Sequence, residues 1–168
     1  MDTQPLPLRE KLLYSSGYFG VSVLSGMLAL WASYHYGELF PGGQKALVGV
    51  ALLIARLLDV PLDPIIGWWS DRTRTRLGRR RPFIAWGVLP LVVVFALFWF
   101  PPAAPGSPWN LAWLLALGTA FFFGFSLVVN PYLAMLPDVA RSAADRMSVS
   151  TLLAGFGLGA QVLAMAGV

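Results

Sequence analysis

The sequence contains no cysteine and a single histidine, His35. Without thiols, the chain can form neither a disulfide framework nor a thiolate metal site. A lone histidine with no ligand partner nearby makes a poor metal site, and no HExxH or Ser-His-Asp grouping is present. Catalytic chemistry therefore has no residue pattern to support it, and we expect neither an enzyme nor a bound cofactor.

Charged residues are also scarce, at 12% of the 168 residues, whereas hydrophobic residues make up 57%. A soluble domain carries about 25% charged residues, so the apolar side chains here are expected to face lipid. Crossing a bilayer takes about 20 mostly apolar helical residues. Five stretches qualify, at approximately 12–36, 46–69, 83–100, 110–136 and 147–168. We therefore predict an all-α membrane protein with about five transmembrane helices.

Residues 1–168 form a single domain on this interpretation, and that domain is expected to be incomplete. The fifth stretch runs to the end of the chain without a polar tail or capping pattern. We therefore expect the sequence to be the N-terminal fragment of a longer protein. The missing C-terminal half of the same chain is then expected to pack against this fragment as its partner.

The formal net charge is +4, and half of the twelve basic residues lie in one run, DRTRTRLGRRRP, between the second and third stretches. Lysine and arginine are retained on the cytoplasmic side of short membrane loops. This run therefore indicates membrane lipid rather than nucleic acid as the partner. It also predicts a multi-pass protein of the plasma or inner membrane with a cytoplasmic N-terminus.

The second stretch carries ionisable residues deep in its interior: Arg56, Asp59 and Asp63. Their spacing of three and four residues places them on one face of a helix. A carboxylate near the bilayer centre costs on the order of 2.5–3.5 kcal/mol, so a second one needs compensation. A bound sodium ion or a shared proton would supply it. We predict a cation-coupling site at Asp59 and Asp63, which is a metal site if the ion is sodium.

The alternative is structural: Arg56 neutralises Asp59 in a buried ion pair, and Asp63 lies close to headgroup water. Pro61 and Pro64 fall in the same segment, where they remove backbone donors and loosen the helix. Broken helices beside charged groups are typical of transport sites, which favours the coupling interpretation.

Two further polar positions are candidates for substrate binding. Asn130 precedes Pro131 in an otherwise apolar stretch, and its amide can both donate and accept hydrogen bonds. An interhelical hydrogen bond is the alternative role for this amide. In the first stretch, Ser22 and Ser25 could face the same cavity, although hydroxyls in membrane helices commonly bond to their own backbone.

The segment 67–84, GWWSDRTRTRLGRRRPFI, resembles the loop between helices two and three of the major facilitator superfamily. In that loop a glycine is followed by Asp-Arg and then by Gly-Arg-Arg, here with extra residues between the two halves. The matching residues are Gly67, Asp71, Arg72, Gly78, Arg79 and Arg80. Residues 55–84 resemble more narrowly the glycoside-pentoside-hexuronide cation symporters, the melibiose permease group, and RLGRRRPFI is similar to the sucrose transporter branch.

This resemblance implies a bundle of two six-helix halves, with substrate held between them near the middle of the membrane. The acids that correspond to Asp59 and Asp63 help to bind the coupling cation in the melibiose permease group. The sugar contacts of that group are not kept. Its helix-one acid falls at Ser22, its helix-four acid falls at Asn130, and its helix-five arginine falls in the apolar segment 151–157.

The predicted function is secondary active transport, in which Na⁺ or H⁺ drives symport of a small polar solute such as a sugar or glycoside. The alternative is a membrane scaffold or sensor that keeps the transporter fold without transport. The basic loop likewise has two interpretations. Its charge pairs latch one conformational state, or its arginines anchor the loop to anionic lipid.

Overall fold

The computed structural model describes residues 6–40, 45–76 and 78–166, and these residues are almost entirely helical. The helices are α1 (Leu8–Leu39), α2 (Lys45–Asp59), α3 (Leu62–Arg72), α4 (Arg81–Phe98), α5 (Pro108–Ala134), α6 (Leu136–Val139) and α7 (Ala143–Ala166). Within these ranges the only β-type pairing is an isolated bridge between Thr75 and Gly78. The predicted all-α class is confirmed.

Among the described residues, four helical segments are long and apolar enough to cross a membrane: Leu8–Leu39, Arg81–Phe98, Pro108–Val139 and Ala143–Ala166. They coincide with the first, third, fourth and fifth predicted stretches. The last two residues of the fifth stretch lie outside the described residues, as do residues 41–44 between the first and second stretches.

The second predicted stretch, 46–69, is divided between two helices in the structure. Helix α2 ends at Asp59, α3 begins at Leu62, and a turn separates them. Pro61 is the N-cap residue of α3. Pro61 and Pro64 have no N–H to donate to the carbonyls four residues earlier, and their rings crowd those carbonyls. The two prolines are tolerated because the first turn of a helix needs no internal N–H donors.

This break gives the two acids different backbone surroundings. Asp59 is the last residue of α2, whereas Asp63 lies in the first turn of α3. The N-terminus of a helix carries partial positive charge and its C-terminus partial negative charge. Asp63 therefore lies beside partial positive charge from the backbone, and Asp59 lies beside partial negative charge.

The chain forms two compact units. One consists of Met1–Trp31 together with Ala134–Val168, and the other is Ala32–Leu133. In the first unit, Lys11 of α1 forms a 2.8 Å ion pair with Asp145 near the start of α7. The hydroxyl of Ser142 accepts the Asp145 N–H at 3.0 Å and donates to the Asp145 carboxylate at 2.7 Å. These bonds cap α7 and attach it to α1.

The unit Ala32–Leu133 packs α2, α4 and α5 through small residues. A Cβ atom added to Gly87 of α4 would lie 2.8 Å from Cγ2 of Val128 on α5. A Cβ atom added to Gly118 of α5 would lie 3.3 Å from the Cβ of Ala55 on α2. Small residues allow helix backbones to approach closely in lipid. This packing brings α5 against the segment that carries the acids.

Asn110 and Tyr36 hold the connection between α4 and α5. The side chain of Asn110 is fully buried, accepts the Ala103 N–H at 3.1 Å and donates to the carbonyls of Ala103 and Ala104. The hydroxyl of Tyr36 donates to the Phe98 carbonyl at the end of α4 at 2.6 Å. Satisfying buried carbonyls in this way fixes the connection without regular structure.

Candidate functional site

Asp59 lies at the centre of the polar site, and its side chain is fully buried. Its Oδ2 atom accepts two hydrogen bonds: one from Nη1 of Arg56 at 2.6 Å, the other from the Ser126 hydroxyl at 3.1 Å. Arg56 is half exposed, with its guanidinium carbon 5.2 Å from the ring centroid of Phe122. The carboxylate therefore has an ionic partner from its own helix and a hydroxyl partner from α5.

The second oxygen of this carboxylate, Oδ1 of Asp59, is buried and accepts no hydrogen bond within the described part of the chain. A buried polar atom without a partner is rare in folded proteins, because leaving water without compensation costs on the order of 1–3 kcal/mol. An acceptor-only oxygen in this position is suited to bind a proton or a cation.

Asp63 has a partner on α5 as well: the Nδ2 atom of Asn130 donates to its Oδ1 atom at 2.8 Å. Ser126 and Asn130 are four residues apart on one continuous helix, so they lie one turn apart on the same face. Helix α5 thus provides one donor to each acid. The break between α2 and α3 and this face of α5 together define the site.

The site contains two carboxylates and one guanidinium, which gives a formal charge of −1 when both acids are ionised. Carboxylate, amide and hydroxyl oxygens are the ligands that hard cations prefer. Across residues 6–40, 45–76 and 78–166, no group of three or more His, Cys, Asp or Glu side chains gathers in a way that could hold a metal. The formal site charge of −1 matches the charge of one singly charged cation.

The structure brings together four of the candidates from sequence, namely Arg56, Asp59, Asp63 and Asn130. The amide of Asn130 forms an interhelical bond to a site acid, which is the alternative given above, while substrate binding stays a prediction. Ser22 is buried in the other compact unit, where its carbonyl accepts the Ser25 hydroxyl at 3.1 Å.

Sequence reasoning missed Ser126. It lies in the run FFFGFSLVVN, and serines in membrane helices commonly bond to their own backbone. The available signal was its position one helical turn before Asn130. A hydroxyl and an amide at that spacing share one face, and that face must point away from lipid.

The loop motif forms a second cluster at the end of α3. Arg80 donates from Nε and Nη2 to Oδ1 of Asp71, at 3.1 and 2.6 Å. Gly78 has a φ of +96°, which disfavours other residues, and its N–H closes a turn on the Thr75 carbonyl at 3.0 Å. The guanidinium of Arg72 stacks on Trp68, and both Gly67 and Arg79 lie nearby in sequence. The turn therefore positions Arg80 to reach back to Asp71.

These features define a multi-pass α-helical membrane protein with paired acids at a helix break. The family described as MFS/sugar transport protein matches residues 13–168. The chain belongs to this family, so the resemblance to the major facilitator superfamily is confirmed, and the match is to transport proteins rather than enzymes.

Relatives named as symporters or sugar carriers match most of the chain. An uncharacterized symporter of Synechocystis sp. is 28% identical over 170 residues, covering 98% of this chain and 31% of the relative. The isoprimeverose transporter of Lactiplantibacillus pentosus is 28% identical over 160 residues, covering 94% and 33% respectively. A glucuronide carrier protein homolog of Escherichia coli is 32% identical over 145 residues, covering 85% and 31%. The chain spans only about a third of these relatives' length.

Proposed function

We propose that the protein is a secondary active transporter in which Asp59 and Asp63 bind a coupling cation, Na⁺ or H⁺. The observation that carries this proposal is the buried Oδ1 atom of Asp59, which accepts no hydrogen bond from the described residues. One proton or one sodium ion at this atom would satisfy the oxygen and neutralise the site charge of −1.

The coupling works through conformational balance. An ionised pair of acids with a net charge favours the state in which water reaches the site, because a buried unpaired charge is costly. Cation binding removes that penalty and so favours the state in which the site is closed to water. A solute that binds the same state more tightly is then favoured by the cation, and the effect is reciprocal in free energy.

The proposed substrate is a small polar solute, with a sugar or glycoside as the first choice. Isoprimeverose and glucuronide appear in the names of the relatives, and another relative is named as a putative glycoside/cation symporter. Within this chain, Asn130 links the acids to the solute, because its second amide hydrogen and its carbonyl oxygen remain able to bond. Ser22 is the candidate contact from α1.

We further propose that the protein resides in the plasma or inner membrane with its N-terminus in the cytoplasm. Arg9 and Lys11 lie in the first turn of α1, and the arginine run extends from the end of α3 to the start of α4. Retention of basic segments on the cytoplasmic side supports this orientation. The remaining part of the full-length protein would complete the solute site.

The test is solute uptake by the full-length protein in vesicles, with sodium and pH gradients imposed separately. The candidate solutes are the sugars named above. Gradient-driven accumulation is expected for the wild type and is expected to be lost in Asp63→Asn. Glu38→Gln removes an acid whose ion-pair partner among the described residues is Lys45, in an exposed pair, so it serves as the control. Unchanged accumulation in Asp63→Asn would refute the coupling assignment, and no uptake of any solute would favour the scaffold alternative.

A further inference from the structure

The end of α3 and the start of α4 form a basic and aromatic surface, which we call the Arg72 surface. It comprises Trp68, Trp69, Arg72, Arg79, Arg81, Phe83 and Trp86. Two contacts join the helices there: the 2.6 Å ion pair of Asp71 with Arg80, and the edge-to-face rings of Trp69 and Phe83, whose centroids are 5.3 Å apart. These contacts hold the arginines that flank Asp71 and Arg80 at one end of the helix pair.

Positive charge is in excess at this surface. Residues 71–81 contain six arginines and one acid, Asp71. Asp71 is occupied by Arg80, and among the described residues the other five arginines form no ion pair. Those five are Arg72, Arg74, Arg76, Arg79 and Arg81. The surface therefore attracts anions, and its one carboxylate, that of Asp71, is already paired with Arg80.

Arg72 is held in a fixed position by Trp68. Its guanidinium carbon lies 4.1 Å from the Trp68 ring centroid, and Trp68 itself is 57% exposed. A guanidinium that stacks through its face keeps its N–H groups free at its edge, where they match the oxygens of a phosphate. Arg72 is thus preorganised to donate hydrogen bonds to a phosphate.

The neighbouring surface is apolar. Trp86 is 79% exposed and Trp69 is 53% exposed, and Leu89, one turn further along α4, is 71% exposed. Indole rings favour the boundary between headgroups and acyl chains. The arginines therefore lie where a headgroup phosphate would be, next to rings suited to contact the attached acyl chains.

We propose that the Arg72 surface binds one anionic phospholipid, with its phosphate on Arg72 and its acyl chains along Trp69 and Trp86. The charge excess selects an anionic headgroup over a zwitterionic one, and the exposed indoles select a lipid over a soluble anion. This site is separate from the cation pair, and it does not depend on the proposed transport function.

The experiment uses full-length protein in neutral detergent, stripped of lipid, with tryptophan fluorescence as the readout. It is titrated with dibrominated phosphatidylglycerol or phosphatidylcholine, whose bromines quench nearby indoles. Phosphatidylglycerol is expected to quench at about tenfold lower concentration than phosphatidylcholine. Both phosphates can accept charge-assisted bonds from arginine, but only phosphatidylcholine carries a cationic choline group that the arginines repel. Equal quenching by the two lipids, or none by either, would overturn the proposal.

Two variants distinguish a specific lipid-binding site from nonspecific attraction to the positive charge of the loop. Arg72→Gln is expected to abolish the preference for phosphatidylglycerol. Arg76→Gln removes the same charge from the tip of the turn closed by Thr75 and Gly78, so it is expected to keep the preference. Equal loss in both variants would contradict a specific site, as would displacement of the lipid by soluble glycerol phosphate at the same concentration. If Arg72→Gln fails to fold, the comparison of lipids on the wild type still decides the question.

Discussion

The Ser126 hydroxyl on α5 donates to Oδ2 of Asp59 at the end of α2, over a distance of 3.1 Å. The same oxygen also accepts a hydrogen bond from the Arg56 guanidinium, whereas Oδ1 accepts none from the described residues. In the proposed function, this second oxygen is the atom that binds the coupling cation, while Oδ2 keeps its bonds to Arg56 and Ser126.

Replacing Ser126 by alanine removes a donor that stabilises the ionised form of Asp59. A hydrogen bond to a charged group contributes about 1.5–3 kcal/mol, so cation dependence is expected to shift about tenfold. For sodium coupling, the half-maximal sodium concentration for uptake should fall, because the carboxylate loses a donor that competes with the cation. For proton coupling, the pH of half-maximal uptake should rise by about one unit, because the proton is held more tightly.

The control for Ser126→Ala is Thr119→Val, which removes a hydroxyl of the same helix that donates to the Leu115 carbonyl of its own helix at 2.8 Å. It is expected to leave cation dependence unchanged. If both variants shifted uptake equally, Ser126 would have no special relation to the cation.

Replacing Arg56 by glutamine removes the positive charge that competes with a cation for Asp59. Charges a few ångströms apart interact by several kcal/mol at an intermediate dielectric, so cation affinity is expected to rise about tenfold or more. Thermal unfolding of the full-length protein should also become strongly dependent on the cation, because Asp59 then lacks its ionic partner. Arg56→Lys keeps the charge and should behave like the wild type. A loss of stability without any change in cation dependence would mean that Arg56 serves packing alone.

Asp71→Asn tests the ion pair with Arg80 as a conformational latch. Asp71 is half exposed, so the pair itself adds little to stability. We expect uptake to fall severalfold while cation binding and membrane topology are unchanged, because only the balance between transporter states is altered. Asp71→Glu should restore much of the uptake. Unchanged uptake in Asp71→Asn would leave lipid anchoring as the role of the loop.

Gly87→Ala tests the packing of α4 against α5. The added methyl group would lie 2.8 Å from Val128, whose side chain is buried, and overpacking of this kind costs about 1–3 kcal/mol. A lower unfolding temperature is expected, with recovery in the double variant that also carries Val128→Ala. Gly49→Ala is the control, since no described atom lies within 4 Å of its added Cβ atom. Equal effects of the two alanines would show that α4 and α5 are not closely packed at Gly87.

Much of the fold follows from sequence because bilayer thickness sets helix length, and apolar runs of that length are visible without a structure. The acids of the second stretch were visible for a related reason: ionisable groups at that depth are costly. The position of the helix break was not predictable. Pro61 and Pro64 allow a kink, a bulge or a complete break, and packing against the rest of the unit selects among them.

The partners of the acids depend on tertiary contacts between α5 and the α2–α3 break. Periodicity places Ser126 and Asn130 on one face, but it does not say which helix that face meets. The hydrogen bonds of Asn110 could not be predicted for a similar reason. Its side chain donates to the carbonyls of Ala103 and Ala104, whose backbone is irregular. Such contacts between residues distant in sequence are fixed only by the folded structure.

Direct measurement of cation binding to the purified full-length protein tests the central claim without knowledge of the substrate. Radioactive sodium binding and proton uptake or release would be followed on the same sample for the wild type, Asp63→Asn and Glu38→Gln. The wild type and Glu38→Gln are expected to bind one sodium ion or one proton at the site, and Asp63→Asn is expected to have lost this binding. Full cation binding by Asp63→Asn would contradict the central claim.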